Sequence, residues 1–277
     1  MSARQSFVMK NFFKKILIRL SGNKTAQALL ERGVVIFHWL MGIGSGSAVE
    51  SSGEWLIISR LTEFRGKSDS LCIFDVGANI GQFAGMIIRG LDKTPFRVHA
   101  FEPSGHAYSM LREGFGHHPN VNLNNCGLAK ECGEFRLYSN APGSGLASLS
   151  KRRLKHLDIG FDVYEVARFV TLDAYCREHF IHRVDLLKLD VEGHELDVLQ
   201  GGLDMFREGK IGMVTFEFGG SNIDSRTYLQ DFWYFFEALG PVRMYRITPS
   251  GFLVPLYSYK ETYEQFTTTN FLVLLGH

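Results

Sequence analysis

The sequence predicts an α/β fold with a mostly parallel sheet, an antiparallel edge at its C-terminal end and a helical extension at its start. Three observations predict it. Short apolar runs alternate with amphipathic stretches from Leu71 onward, the alternation gives way after Pro241 to strand-like runs, and apolar residues recur at helical spacing over residues 10–20. A chain of 277 residues with 45% hydrophobic and 21% charged residues can bury one sizeable core.

Taken in order, Phe12, Phe13, Ile16, Leu17 and Leu20 form one helical face with Lys14, Lys15 and Arg19 between them. That face suits either docking on the main domain or peripheral contact with a membrane surface. Residues 33–49 carry no Asp, Glu, Lys or Arg, yet they fall short of the ~20 apolar residues of a spanning helix and are broken by Gly42, Gly44 and Gly46. No secretory signal pattern is expected, because the apolar run starts far from the N-terminus. The extension is expected over residues 1–50 and the main domain over 51–277, with the boundary region near 50–65.

Within that domain, strands are expected near 71–75, 97–101, 121–124, 184–190 and 211–217. Helices are expected near 81–90, 104–114, 172–180, 194–207 and 225–239, the third capped by Thr171. The runs Val242–Ile247, Gly251–Leu256 and Asn270–Leu275 then read as the antiparallel edge. Residues 139–150, with Pro142, Gly143 and Gly145, read as a flexible loop.

Formal net charge is +1, so no overall field argues for nucleic acid as a partner. The four cysteines form no C-x-x-C pair and no dense disulfide framework, which fits reduced thiols in a cytoplasmic protein.

Chemistry is concentrated at the expected strand ends. The first strand runs into Asp75-Val76-Gly77-Ala78-Asn79-Ile80-Gly81, where glycines allow close backbone approach and the following helix offers free N–H groups. Dinucleotide sites use G-x-G-x-x-G, whereas this turn reads G-x-N-x-G, which argues against a nicotinamide cofactor. A tight turn without a ligand is the plain alternative. Glu102 closes the second strand, where an acid can accept from two ribose hydroxyls, and Asn125 follows the third strand at the expected adenine position. Glu102 could equally be a solvated acid at a helix start.

On the fourth strand Lys188, Asp190 and Glu192 alternate onto one face, with both acids at the carboxyl end where ligands bind. Three ionisable groups on an apolar strand are costly unless paired or used. The bland reading is a Lys188–Asp190 ion pair with Glu192 as a helix-start acid. Glu217 ends the fifth strand at the crevice rim. Carboxylates with His194 nearby are chemically capable of holding a hard cation, but no spacing is diagnostic of one and no metal is assigned.

These pieces together resemble the FkbM family of methyltransferases. The likeness rests on FDVGANIGQF at 74–83, FEP at 101–103, VDLLKLDVEGHELDVLQGG at 184–202 and FEFG at 216–219, and extends over roughly 49–275. The K-x-D-x-E-G-x-E run is the most specific of them, and Asn79 in place of the commoner middle glycine belongs to the same pattern. The resemblance implies a class I, Rossmann-like methyltransferase domain using S-adenosyl-L-methionine. Asp75, Gly77, Asn79, Gly81 and Glu102 would contact the cofactor, and Asp190 and Glu192 would face a hydroxyl acceptor on a sugar, glycan precursor or secondary metabolite. One of these acids would take the hydroxyl proton, with Lys188 beside them. The alternatives are a nucleotide-sugar or NAD-linked enzyme on a similar sheet, and a non-catalytic assembly subunit that binds the cofactor.

Overall fold

A computed structural model describes residues 14–15, 17–19, 21–47, 51–64 and 70–276. Contacts divide the chain into two units, residues 1–41 and 42–277. In the first, residues 14, 15 and 17–19 of the expected helix over 10–20 are helical, while Phe12, Phe13, Ile16 and Leu20 lie outside the described residues. A second helix, α1, spans Lys24–Leu40 and is capped by Asn23, whose Oδ1 accepts from Ala26 N at 2.9 Å.

The second unit begins its regular structure with a helix α2, Leu56–Phe64, and then alternates strand and helix. The strands β1 (Leu71–Val76), β2 (Phe96–Phe101) and β3 (Val121–Asn124) are linked by α3 (Gln82–Gly90) and α4 (Gly105–Phe115). After an insertion over residues 127–170, α5 (Leu172–Glu178) leads to β7 (Val184–Leu189), and α6 (Glu195–Gln200) with α7 (Leu203–Arg207) leads to β8 (Ile211–Phe218). The short α8 (Ser221–Ser225) and α9 (Leu229–Glu237) precede β9 (Val242–Ile247), β10 (Leu253–Leu256) and β11 (Thr269–Leu275).

The main sheet has the order β10-β9-β11-β8-β7-β1-β2-β3. Pairs from β8 through β3 are parallel, and β11, β9 and β10 add the antiparallel edge. The fold is therefore α/β with a mostly parallel sheet and an antiparallel edge. Its inner strands are near-continuous apolar runs because both faces are covered. One core packs Phe74, Leu187 and Phe216 against Tyr175, Leu199 and Phe232. The other packs Ile73, Val98 and Leu186 against Ile57, Phe83 and Leu111.

Two expected helices are each divided. Residues 194–207 break at Gly201–Gly202, where a Cβ on Gly202 would stand 2.3 Å from the Leu172 side chain. Residues 225–239 start late because Arg226 takes a left-handed conformation, φ +60°, that ends α8.

The insertion is a second sheet, with β4 (Gly127–Leu128) and β5 (Gly133–Ser139) pairing on either side of β6 (Val163–Val170). The expected loop at 139–150 follows β5 and is pinned back on it through mutual Tyr138–Ser148 backbone bonds of 2.8 and 2.9 Å. Among the described residues no helix is long and apolar enough to cross a membrane.

Candidate active site

The parallel strands end on a cleft that opens to solvent. The main sheet supplies Gly77, Asn79, Glu102 and Asp190 to it, and the insertion supplies Leu128, Leu137, Ala147, Leu149 and Phe169. One wall is thus polar backbone and carboxylate, and the other is apolar.

The turn after β1 is bent by three positive φ values: +80° at Gly77, +47° at Asn79 and +90° at Gly81. Gly77 has a second constraint, since a Cβ there would meet the Asp190 carbonyl oxygen at 1.8 Å. A Cβ on Gly81 would strike Phe115 and Leu111, so this glycine admits α4 rather than lining the cleft.

Glu102 lines the cleft from the end of β2 and is held by backbone donors. Asn79 N and Ser104 N each donate to its carboxylate at 2.8 Å. Burial pushes its pKa up to about 7, against the pull of those two amides. Asn125 is exposed, and its Nδ2 donates to the Glu102 carbonyl at 2.9 Å. It braces the β2 end from outside the cleft lining.

At the end of β7 the arrangement is ionic. Lys188 is buried, its Nζ 3.2 Å from Asp190 Oδ2 and 3.4 Å from Asp75 Oδ1, and it lies over the Phe83 ring. Burial opposes its charge, but Asp190, Asp75 and Glu54 outweigh that and hold its pKa above the ordinary lysine value. Asp75 is fully buried beneath the cleft floor and faces Lys188.

Glu192, the residue after next, has φ +53° and a carboxylate 2.6 Å from the Arg152 guanidinium. Burial and the neighbouring Asp190 push its pKa up to about 8, against the pull of Arg152. Arg152 Nε lies 3.8 Å from Asp224 Oδ2, and Ser148 Oγ donates to the Glu192 carbonyl at 2.8 Å. His194 contacts Asp197 through Nδ1 at 2.7 Å and Ser150 Oγ through Nε2 at 2.9 Å. Glu195 accepts from Val191 N and Gly193 N, each at 3.1 Å, and so caps the strand-to-helix turn.

The register pairs Lys188 with Thr215, which sets Asp190 beside Glu217 two residues further along each strand. Burial and repulsion from Asp190 and Glu192 hold the Glu217 pKa well above the ordinary range. Among the described residues no three His, Cys, Asp or Glu side chains are grouped to hold a metal ion.

Over residues 75–242, more than half of the chain, the sequence matches the methyltransferase FkbM domain. The chain belongs to the FkbM methyltransferase family. Methyltransferase 1 of Beauveria bassiana is 30% identical to it over 148 residues, which are 48% of this chain and 59% of that protein. The 31-O-demethyl-FK506 methyltransferase FkbM of Streptomyces tacrolimicus is 31% identical over 153 residues, 47% of this chain and 58% of that protein. The chain thus spans less than two thirds of these relatives' length. Among solved structures, methyltransferase FkbM from Methylobacillus flagellatus aligns with 88% of this chain and 60% of its own, at 16% identity and a TM-score of 0.45.

In this member of the FkbM family, Gly77, Asn79, Glu102, Asp190 and Glu192 converge on one cleft, while Asp75, Gly81, Lys188 and Asn125 stand behind it or beside it. Arg152 and Glu54 carry no sequence motif. Glu54 is buried, accepts from Ser52 Oγ at 2.9 Å and has its pKa pushed up to about 7 by burial, with Lys188 pulling the other way. Leu137, which β5 gives to the apolar wall, alternates with Phe135 between the charged Glu134 and Arg136, a strand signal in the sequence.

Proposed function

We propose that this FkbM methyltransferase transfers a methyl group from S-adenosylmethionine to a hydroxyl oxygen of a sugar, a glycan precursor or a secondary metabolite. The observation that carries the reading is that Glu102 and Asp190 line the same cleft from the two strands flanking β1. The residues present fit the cofactor. Glu102 offers a carboxylate to paired ribose hydroxyls, Gly77 and Asn79 bring backbone to the cleft edge, and Leu128 with Phe169 provides an apolar wall for a base. A relative that bears the name of a 31-O-demethyl-FK506 methyltransferase supports an oxygen acceptor.

When bound, S-adenosylmethionine supplies an electrophilic methyl group to an incoming oxygen. The chain aligns the hydroxyl and receives its proton. Of the two acids, Asp190 suits the base role better: its side chain is 39% exposed against 16% for Glu192, whose carboxylate is engaged by Arg152. Lys188 keeps Asp190 oriented, and Glu192 holds Arg152 and the loop bearing it at the cleft rim. A sugar hydroxyl is a weak acid, so the proton moves to Asp190 as the new bond forms. Peripheral membrane contact through residues 10–20 belongs to the same reading.

Asp190→Asn is expected to retain the fold and cofactor affinity while turnover falls roughly 10²–10⁴-fold, the usual worth of a positioned base. Glu192→Gln is expected to lose less. Single-turnover methylation, with product mass analysis, measures both. A full-rate Asp190→Asn enzyme would overturn the base assignment, and a product methylated on nitrogen or carbon would overturn the reaction class.

A further inference from the structure

The FkbM domain match begins at residue 75, after the unit of residues 1–41. Within that unit, α1 is a helix of 17 residues, none of them buried. At about 100° per residue, Ile36, Leu29, Leu40, Phe37, Leu30 and Val34 fall in one face roughly 160° wide, with Gly33 and Ala26 between them. Lys24, Gln27, Glu31 and His38 lie on the opposite side together with Ala28, Val35 and Trp39, and Arg32 and Thr25 stand between that side and Ile36. Phe37 is 65% exposed and Leu29 is 62% exposed. This is a broad apolar face, with the Arg32 guanidinium toward one of its borders.

Charge is the second observation. Residues 1–41 hold seven Lys or Arg, namely Arg4, Lys10, Lys14, Lys15, Arg19, Lys24 and Arg32, against the single acid Glu31. Lys14, Lys15 and Arg19 are helical and exposed, next to exposed Leu17 and Ile18. An anionic lipid surface is the one occupant that meets both features at once, with acyl chains for the apolar face and negative headgroups for the basic residues. At 1.5 Å per residue, α1 is about 25 Å long, short of the ~30 Å hydrocarbon core, so it suits lying in the interface rather than crossing.

We propose that α1 is an interfacial helix that holds this enzyme on an anionic lipid surface. Its Leu29, Leu30, Ile36, Phe37 and Leu40 face sinks to the acyl boundary, and the basic residues before and within it face the headgroups. The proposal stands apart from the acceptor assignment.

Flotation of the full chain with phosphatidylcholine vesicles, with and without phosphatidylserine, tests it. The wild-type chain is expected to float with the phosphatidylserine vesicles and to weaken roughly tenfold or more as salt rises from low to high. The double variant Leu30→Glu, Phe37→Glu is expected to remain at the bottom while keeping the wild-type circular dichroism and melting temperature. Three results would overturn the proposal: no flotation of the wild type on either vesicle, undiminished flotation of the double variant, or flotation indifferent to both salt and phosphatidylserine. Sedimentation equilibrium adds a fourth, since a wild-type dimer that the double variant dissociates, without vesicle binding by either, would assign the face to a second copy.

Discussion

At the Glu102 end of the cleft a buried carboxylate is satisfied by two backbone amides, whereas at the Asp190 end five acids, Asp75, Glu54, Asp190, Glu192 and Glu217, crowd around Lys188 and Arg152. Backbone donors are fixed by the fold and carry no net charge, so the first end tolerates substitution of neighbouring side chains. The second end depends on two side-chain cations, and losing either leaves buried like charges facing one another. A ligand-binding end can thus be rigid and locally independent, while an end that handles a proton is electrostatically poised and fragile.

The largest effect that this contrast predicts is on stability. Lys188→Met removes the ammonium shared by Asp75 and Asp190, and unfolding in urea is expected to show a loss of about 3–5 kcal/mol, as for breaking one side of a buried pair. A loss below about 1 kcal/mol, the value of an exposed pair, would erase the distinction between the two ends.

A smaller effect is expected at the other end. Glu102→Ala leaves the Asn79 and Ser104 amides without their acceptor, so a stability loss of about 1–3 kcal/mol, below that of Lys188→Met, is expected in urea, with S-adenosylmethionine binding weakened by about 1.5–3 kcal/mol in calorimetry. If stability falls as much as in Lys188→Met, the amides are not sufficient support.

The smallest and most discriminating effect is in pH. Glu102 and Glu54 both have folded pKa values pushed up to about 7 from an ordinary 4.5. The folded state therefore holds their protons more tightly than the unfolded chain, and their contribution to stability is full below about 4.5 and is lost as pH rises through about 7. Unfolding free energy measured from pH 5 to 8 should decline, and Glu54→Gln should flatten part of that decline. Cofactor affinity should run the opposite way, rising over the same range as Glu102 ionises and becomes a better acceptor for hydroxyls. A Glu102→Gln variant that keeps this rise would assign it elsewhere.

The sheet ends were legible in the sequence because the parallel strands are buried on both faces. Leu71–Phe74 and Val184–Leu189 read as apolar runs, and the polar residues interrupting them stand out. The acids after those runs are likewise visible, since an ionisable residue at the end of a buried strand is costly unless it is paired or used. The insertion was less legible. In β5, Glu134 and Arg136 alternate with Phe135 and Leu137 across a sheet with one exposed face, and Pro142, Gly143 and Gly145 beyond it read as loop.

Arg152 and Glu54 could not be found from local pattern at all. Arg152 reaches Glu192 across 40 positions of chain, and Glu54 meets the Lys188 field from before the first strand. Such pairings depend on tertiary placement, which spacing does not encode. Asn125 shows the converse case, expected at the cleft from its place after the third strand, whereas its side chain turns to the Glu102 carbonyl outside the lining.

The contact between Gly77 and the Asp190 carbonyl has a further consequence. Asp190 N also donates to the Val76 carbonyl at 3.0 Å, so the cofactor turn and the proposed base are joined through main chain on both sides of Gly77. The spacing between the expected donor position and the proton acceptor is thereby a fixed dimension of the backbone, like two marks scribed on one rule. A methyl on Gly77 would stretch that dimension without touching either chemical group. Misplacement of about 1 Å can cost a reaction of this kind roughly a hundredfold in rate.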